Sequence, residues 1–196
     1  MLNLHLPDEA ATRALGARLA RVLVPGLSLY LHGDLGSGKT TLARGLLRGL
    51  GYAGRVKSPT YALVELYTIS RLNLYHFDFY RFRDPKEWRD AGFSEYFNDS
   101  SVCLVEWPEK AAGLLPPADL DIAIEFAGDG RELSIRAGTE SGATERTQQL
   151  CLPGEGAADG GSAGFARYGR SGLVLANQGL GETDRNRRSR RAELFA

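Results

Sequence analysis

The stretch GDLGSGKTT, residues 33–41, constrains the fold of this chain more than any other part of it. It follows a short apolar run, LSLYLH, and precedes leucines at 42, 46, 47 and 50 that keep helical spacing until Gly51, a stop signal. An apolar run of that length suits a buried strand, so the glycine-rich turn joins a strand to a helix. Gly33, Gly38, Lys39 and Thr40 satisfy G-x-x-x-x-G-K-[ST] in the context the pattern requires. Glycines let consecutive backbone N–H groups turn inward without Cβ clashes, and the positive end of the helix starting near Gly38 faces the same point. Such a turn is built to hold a polyphosphate. Lys39 supplies a full charge to the β- and γ-phosphates, and the Thr40 hydroxyl is placed to ligate Mg²⁺. No N-K-x-D guanine-reading motif is present, so the expected nucleotide is ATP.

Other segments supply a scaffold. In PDEAATRALGARLARVL, Leu15, Leu19, Val22 and Leu23 form one helical face, with Asp8 as N-cap. TYALVELY and NLYHFDFY read as strands around a turn containing Ser70 to Asn73. DPKEWRDAGFSEYF opens with Asp84, Pro85 and Glu87, a capping box that starts a helix. SVCLVEW is a further buried strand, and LDIAIEF and RELSIRA form a hairpin around AGDGR. Strands alternating with helices predict an α/β fold of the P-loop NTPase kind: a mostly parallel central sheet flanked by helices, with antiparallel strands at one edge.

Charge and composition exclude several alternatives. Lys+Arg and Asp+Glu balance at 24 each, so no global field draws the chain to nucleic acid or an anionic membrane. Cys103 and Cys151 are far apart and form no CxxC pair, which indicates neither a disulfide framework nor a zinc site. The N-terminal MLNLHLPDEAATR is acidic where a signal peptide is basic, and no run approaches ~18 apolar residues, so a cytoplasmic protein without a membrane segment is expected.

All four lysines and both tryptophans lie before residue 138, and the rest of the chain is rich in Gly, Ala, Ser and Arg. The expected division is an ATPase domain over 1–138 and a disordered Gly/Arg-rich tail over 139–196. DRNRRSRRAE in that tail reads as a solvated end or an RNA-contacting arm, and the Lys-free composition also matches a shifted reading frame of GC-rich DNA.

An NTPase needs a carboxylate near Mg²⁺ and a group that organises the attacking nucleophile. Asp78 and Glu106 are the candidates, because carboxyl ends of parallel strands open onto the ligand crevice. Each is equally readable as a strand-end charge.

Four motifs in order, GDLGSGKTT (33–41), VKSPTY (56–61), YHFDFYR (75–81) and CLVEWPEKAAGLLP (103–116), closely resemble the bacterial TsaE family, also called YjeE, over about residues 1–137. The resemblance implies a small P-loop ATPase needed to make threonylcarbamoyladenosine beside the anticodon of tRNAs. It implies TsaD and TsaB as partners, with ATP hydrolysis resetting that pair between turnovers and tRNA met only through the complex. Carried over residue by residue, it implies that Gly33, Leu35, Gly36, Ser37, Gly38, Lys39, Thr40 and Thr41 embrace the phosphates and that Thr40 ligates Mg²⁺. Thr60 looks like a sensor of the γ-phosphate, Asp78 like the catalytic acid and Glu106 like the metal's supporting carboxylate. Trp107, Glu9 and Arg131 match positions near the nucleotide. Bland readings stand beside these: a turn hydroxyl for Thr60, a core anchor for Trp107, and a structural histidine for His76, which alternates with Asp78 on one strand face. Two other functions stay open. One is a small-molecule kinase, which needs an arginine-bearing lid of the kind RFRDPKEWR could be mistaken for; the other is a nucleotide-dependent binding switch whose output is the complex.

Overall fold

The computed structural model describes residues 1–140 and 142. The expectation of a disordered tail therefore falls almost wholly outside the described residues. The chain runs β1 (Leu2–Leu6), α1 (Glu9–Leu19), β2 (Ser28–His32), α2 (Lys39–Gly49), β3 (Val64–Ile69), β4 (Leu72–Asp78), α3 (Glu87–Asp90), β5 (Ser101–Glu106), β6 (Leu120–Ala127) and β7 (Gly130–Ala137). Short 3-10 turns lie at Phe93–Tyr96 and Pro108–Ala111.

The strands form one seven-stranded sheet in the order β1-β7-β6-β2-β5-β4-β3. Pairings β6–β2, β2–β5 and β5–β4 are parallel, so the mostly parallel centre is as expected. Antiparallel strands close both edges, through β3–β4 on one side and β6–β7–β1 on the other, where the sequence suggested one. The extra strand, β1, is legible only as the alternation Leu2, Leu4, Leu6, and its pairing with β7 supplies the partner that makes it a strand.

Alternation on the central strands divides the core. Leu29 and Leu31, Leu74, and Val102 and Leu104 face α1 and α2, packing with Leu15, Leu19, Leu42, Leu46 and Leu47. Tyr30, Phe77, Cys103 and Val105 face the other way into an aromatic layer with Phe79, Phe82, Trp88, Phe93 and Phe97. His76 and Asp78 share the parity of Leu74, and Glu106 that of Leu104. All three therefore belong to the sheet face that carries α2.

The helices α1 and α2 lie side by side in the same direction. A Cβ on Gly16 would fall 2.3 Å from the Leu42 carbonyl oxygen, and one on Gly45 would fall 2.2 Å from that of Arg13. Backbones this close need glycine, and the parallel arrangement brings both positive N-terminal ends to one place. Asp8 caps α1, its Oδ1 accepting from Ala11 N–H at 2.7 Å.

Between residues 84 and 97 the expected helix is broken. Glu87 Oε1 accepts from Asp84 N–H at 3.0 Å as the capping box predicts, but α3 ends at Asp90, and Gly92 takes φ 66° before a 3-10 turn. A straight helix presents one stripe, whereas Trp88, Phe93 and Phe97 must all reach the same flat aromatic layer. The chain turns at glycine to deliver them.

Candidate functional site

The glycine-rich turn leaves β2 at Gly33 and enters α2 at Lys39. Gly33 has φ 132°, and a Cβ there would lie 2.2 Å from the Ile124 carbonyl oxygen, so only glycine fits. Gly36 (φ 81°) and Gly38 (φ 115°) take further left-handed turns. Lys39 is buried, and its ammonium donates to the carbonyls of Gly33 (2.6 Å) and Asp34 (2.8 Å) while standing 4.0 Å from the ring centre of Trp107. Burial pulls the Lys39 pKa below its usual value, and the carboxylates of Glu106, Glu109, Asp78 and Asp34 oppose that shift.

Three strand ends meet this turn. Asp78 and Glu106 occupy paired positions on β4 and β5, and Leu31 of β2 pairs with Glu106 from the other side. Thr40 Oγ1 lies 2.9 and 3.1 Å from the two Glu106 oxygens, to which it donates its one hydrogen. Asp78 Oδ2 accepts from Thr60 Oγ1 at 2.6 Å and from Ser58 Oγ, and its Oδ1 accepts from Tyr80 N–H at 2.9 Å. The 58–63 segment is folded back onto the strand end, with Leu63 N–H on the Pro59 carbonyl and Asp78 N–H on the Leu63 carbonyl. Leu63 takes φ 66° in doing so, which is why β3 begins at Val64 and not at Thr60. Outside, Tyr61 is 84% exposed, and the Arg81 guanidinium lies 4.1 Å over its ring. Trp107, in a left-handed conformation (φ 62°), packs against Tyr80 with ring centres 5.0 Å apart.

On the other flank of the turn is a cleft of about 250 Å³, lined by Asp8, Glu9, Thr12, residues 36–38, Thr41 and residues 129–131. Arg131 donates from Nε to the Ser37 carbonyl at 2.9 Å and stacks its guanidinium 4.4 Å from the Phe126 ring. Thus Lys39, Thr40, Asp78, Glu106, Thr60 and Trp107 converge at the strand ends, whereas Glu9, Gly36, Ser37, Gly38, Thr41 and Arg131 line the cleft. Gly33 forms the base of the turn, and Leu35 is 69% exposed at its tip.

Among the described residues no group of three or more His, Cys, Asp or Glu forms a metal cage. Mg²⁺ taken up with a nucleotide asks for less, one or two protein oxygens beside the phosphates. The Thr40 hydroxyl against the Glu106 carboxylate fits that requirement, a pair of hard oxygen donors at the mouth of a phosphate turn.

Two features escaped the sequence reading. Ser58 stands beside Thr60 on Asp78; the alternation S-x-T was its only signal. His32, immediately before the turn, lies between Glu109 (3.5 Å) and Asp121 (3.2 Å), whose other oxygen takes Arg136 at 2.9 Å. Hydrogen bonding to Glu109 raises the His32 pKa. A histidine with a raised folded pKa adds stability below its unfolded value, and that stability is lost as pH rises through the folded pKa. His32→Gln is therefore expected to melt about 1–2 °C below wild type near pH 5.5, the scale of a solvent-screened pair, with the gap closing by pH 8 in thermal melts.

The family model for the threonylcarbamoyl adenosine biosynthesis protein TsaE matches residues 6–133. The chain belongs to the TsaE family. Every residue expected at the site, from Glu9 to Arg131, lies within that match. The tRNA threonylcarbamoyladenosine biosynthesis protein TsaE of Haemophilus influenzae is 45% identical over 146 residues, covering 72% of this chain and 92% of the relative. TsaE of Bacillus subtilis is 43% identical over 132 residues, covering 67% and 81%. A crystal structure of Bacillus subtilis YdiB superposes with a TM-score of 0.66 at 34% identity, covering 76% of this chain and 93% of that one. The family is one of tRNA modification, consistent with a nucleotide-binding turn on a P-loop sheet.

Proposed function

We propose that this chain is the Mg²⁺-dependent ATPase of a threonylcarbamoyl transfer machinery, hydrolysing ATP slowly to reset a TsaB–TsaD complex in the cytoplasm. The observation that carries the reading is the pairing of Asp78 and Glu106 on neighbouring strands, with Glu106 on the Thr40 hydroxyl and Asp78 on Thr60. In this reading Lys39 leaves the Gly33 and Asp34 carbonyls for the β- and γ-phosphates, and Thr40, supported by Glu106, holds Mg²⁺. When bound, Mg²⁺ would supply neutralisation of the phosphate charge. Asp78 orients the attacking water, and Thr60 and Ser58 exchange the Asp78 carboxylate for the γ-phosphate, so that the 58–63 segment follows the nucleotide. Glu9 and Arg131 contact the nucleotide from the cleft.

Phe82 and Trp88 support this reading over a kinase, because both are buried in the aromatic layer and anchor the segment that a lid would need to swing. Among the described residues no helix is long and apolar enough to cross a membrane.

The test is phosphate release by the full chain and by a version ending at Gly142, each with and without TsaB and TsaD. Gly142 is the better end point than Gly138, because Thr139 donates to buried Asp119 and accepts from Gly142 N–H. Stimulation of both versions by the partners is expected, with residues 143–196 dispensable. Phosphate transfer to a metabolite without partners would instead establish the kinase, and sustained tRNA modification by a hydrolysis-dead variant the binding switch.

A further inference from the structure

Among the described residues, His76 is a buried polar side chain for which the ATPase reading has no use. It is 0% exposed, on the α2-facing side of β4, with Nε2 2.9 Å from Glu106 Oε1, the same oxygen that Thr40 Oγ1 approaches at 2.9 Å. A carboxylate accepts only, so Nε2 is the donor in this contact. Nδ1 has no hydrogen-bond partner among the described residues. A buried nitrogen without a partner is a standing cost that an aliphatic residue avoids, as Leu74 does two positions earlier on the same face. Packing alone therefore gives no reason for histidine at this position.

We infer that His76 is a positioning residue for Glu106. A carboxylate at a strand end can rotate about its last torsion, which is broad. Here two donors converge on Oε1 from opposite neighbours, His76 on β4 and Thr40 on α2, and fix the plane of the group. With the Thr40 hydrogen directed at Glu106, the Thr40 oxygen presents its lone pairs away from the carboxylate, toward the phosphate turn. His76 thus sets, through Glu106, the geometry in which Thr40 meets a cation. Donors of this kind behind a metal's own ligands orient them and change metal affinity. The inference rests on the reading of Glu106 as the carboxylate that supports Mg²⁺.

A matched pair of substitutions tests it. Glutamine and methionine have nearly the same shape, but only glutamine carries an N–H where the imidazole Nε2 lies. ATP affinity of the full-length chain is measured in EDTA and across a MgCl₂ titration, alongside thermal melts. His76→Met is expected to keep ATP affinity in EDTA and to raise the Mg²⁺ midpoint roughly tenfold, while His76→Gln stays close to wild type. Any loss of packing is shared by the two variants, so their difference reads the donor alone. Equal Mg²⁺ midpoints for His76→Gln and His76→Met overturn the inference. Glu106→Gln is measured in parallel: if it raises the midpoint while the His76 pair does not differ, only the role of His76 fails. If Glu106→Gln leaves the midpoint unmoved, the metal-supporting reading of Glu106 fails and the inference with it.

Discussion

Lys39→Met is expected to weaken ATP binding by roughly 10- to 150-fold, the worth of one charge-assisted hydrogen bond, while leaving the unliganded protein at least as stable as wild type. The two effects have one cause. Lys39 is buried, and desolvation depresses its pKa, so the protonated amine is held against its surroundings at neutral pH. For a lysine with a folded pKa below the unfolded one, that cost is present in full below the folded pKa and fades as pH rises through it. Methionine keeps an apolar stem of similar length and removes the charge, together with the ammonium's contact with the Trp107 ring. Isothermal titration with ATP and melts of the unliganded protein at pH 7 check both halves. Unchanged ATP affinity would remove Lys39 from the phosphate site.

Asp78→Asn is expected to lower the hydrolysis rate roughly 100-fold or more, the range for loss of a positioned acid–base group, with ATP affinity held within a few-fold. Asparagine can still accept from Tyr80 N–H, and the Ser58 and Thr60 hydroxyls can turn to accept from its amide, so the strand end keeps its shape. Single-turnover hydrolysis with bound ATP separates this from Lys39→Met. Equal loss of affinity in both variants would contradict the division of labour between the turn and the strand ends.

The phosphate turn was legible because its signal is local: nine consecutive residues, with the glycines at positions where φ is positive or a Cβ would strike backbone. Asp78 and Glu106 were legible as strand ends, but their adjacency depends on the order β2-β5-β4, which no run of residues encodes. The same holds for His32, whose carboxylates come from residues 109 and 121, and for the seam between α1 and α2, where Gly16 and Gly45 look in sequence like weak points of helices. The broken helix after Asp84 shows the converse limit. Asp84 and Glu87 bond to each other in the turn before it, but the helix itself is capped at Lys86, and the demand of Trp88, Phe93 and Phe97 for one layer decided where it stopped.

Thr60 and Asp78 point inward to each other, and their near neighbours in the chain, Tyr61, Tyr80 and Arg81, lie at the surface. The separation between inside and outside here is one to three peptide bonds. A rotation of the Thr60 peptide swings the Tyr61 ring, and with it the guanidinium lying on that ring. Under the proposed function, exchange of the Asp78 carboxylate for a γ-phosphate at Thr60 would therefore reach the Tyr61–Arg81 surface with no lever arm in between.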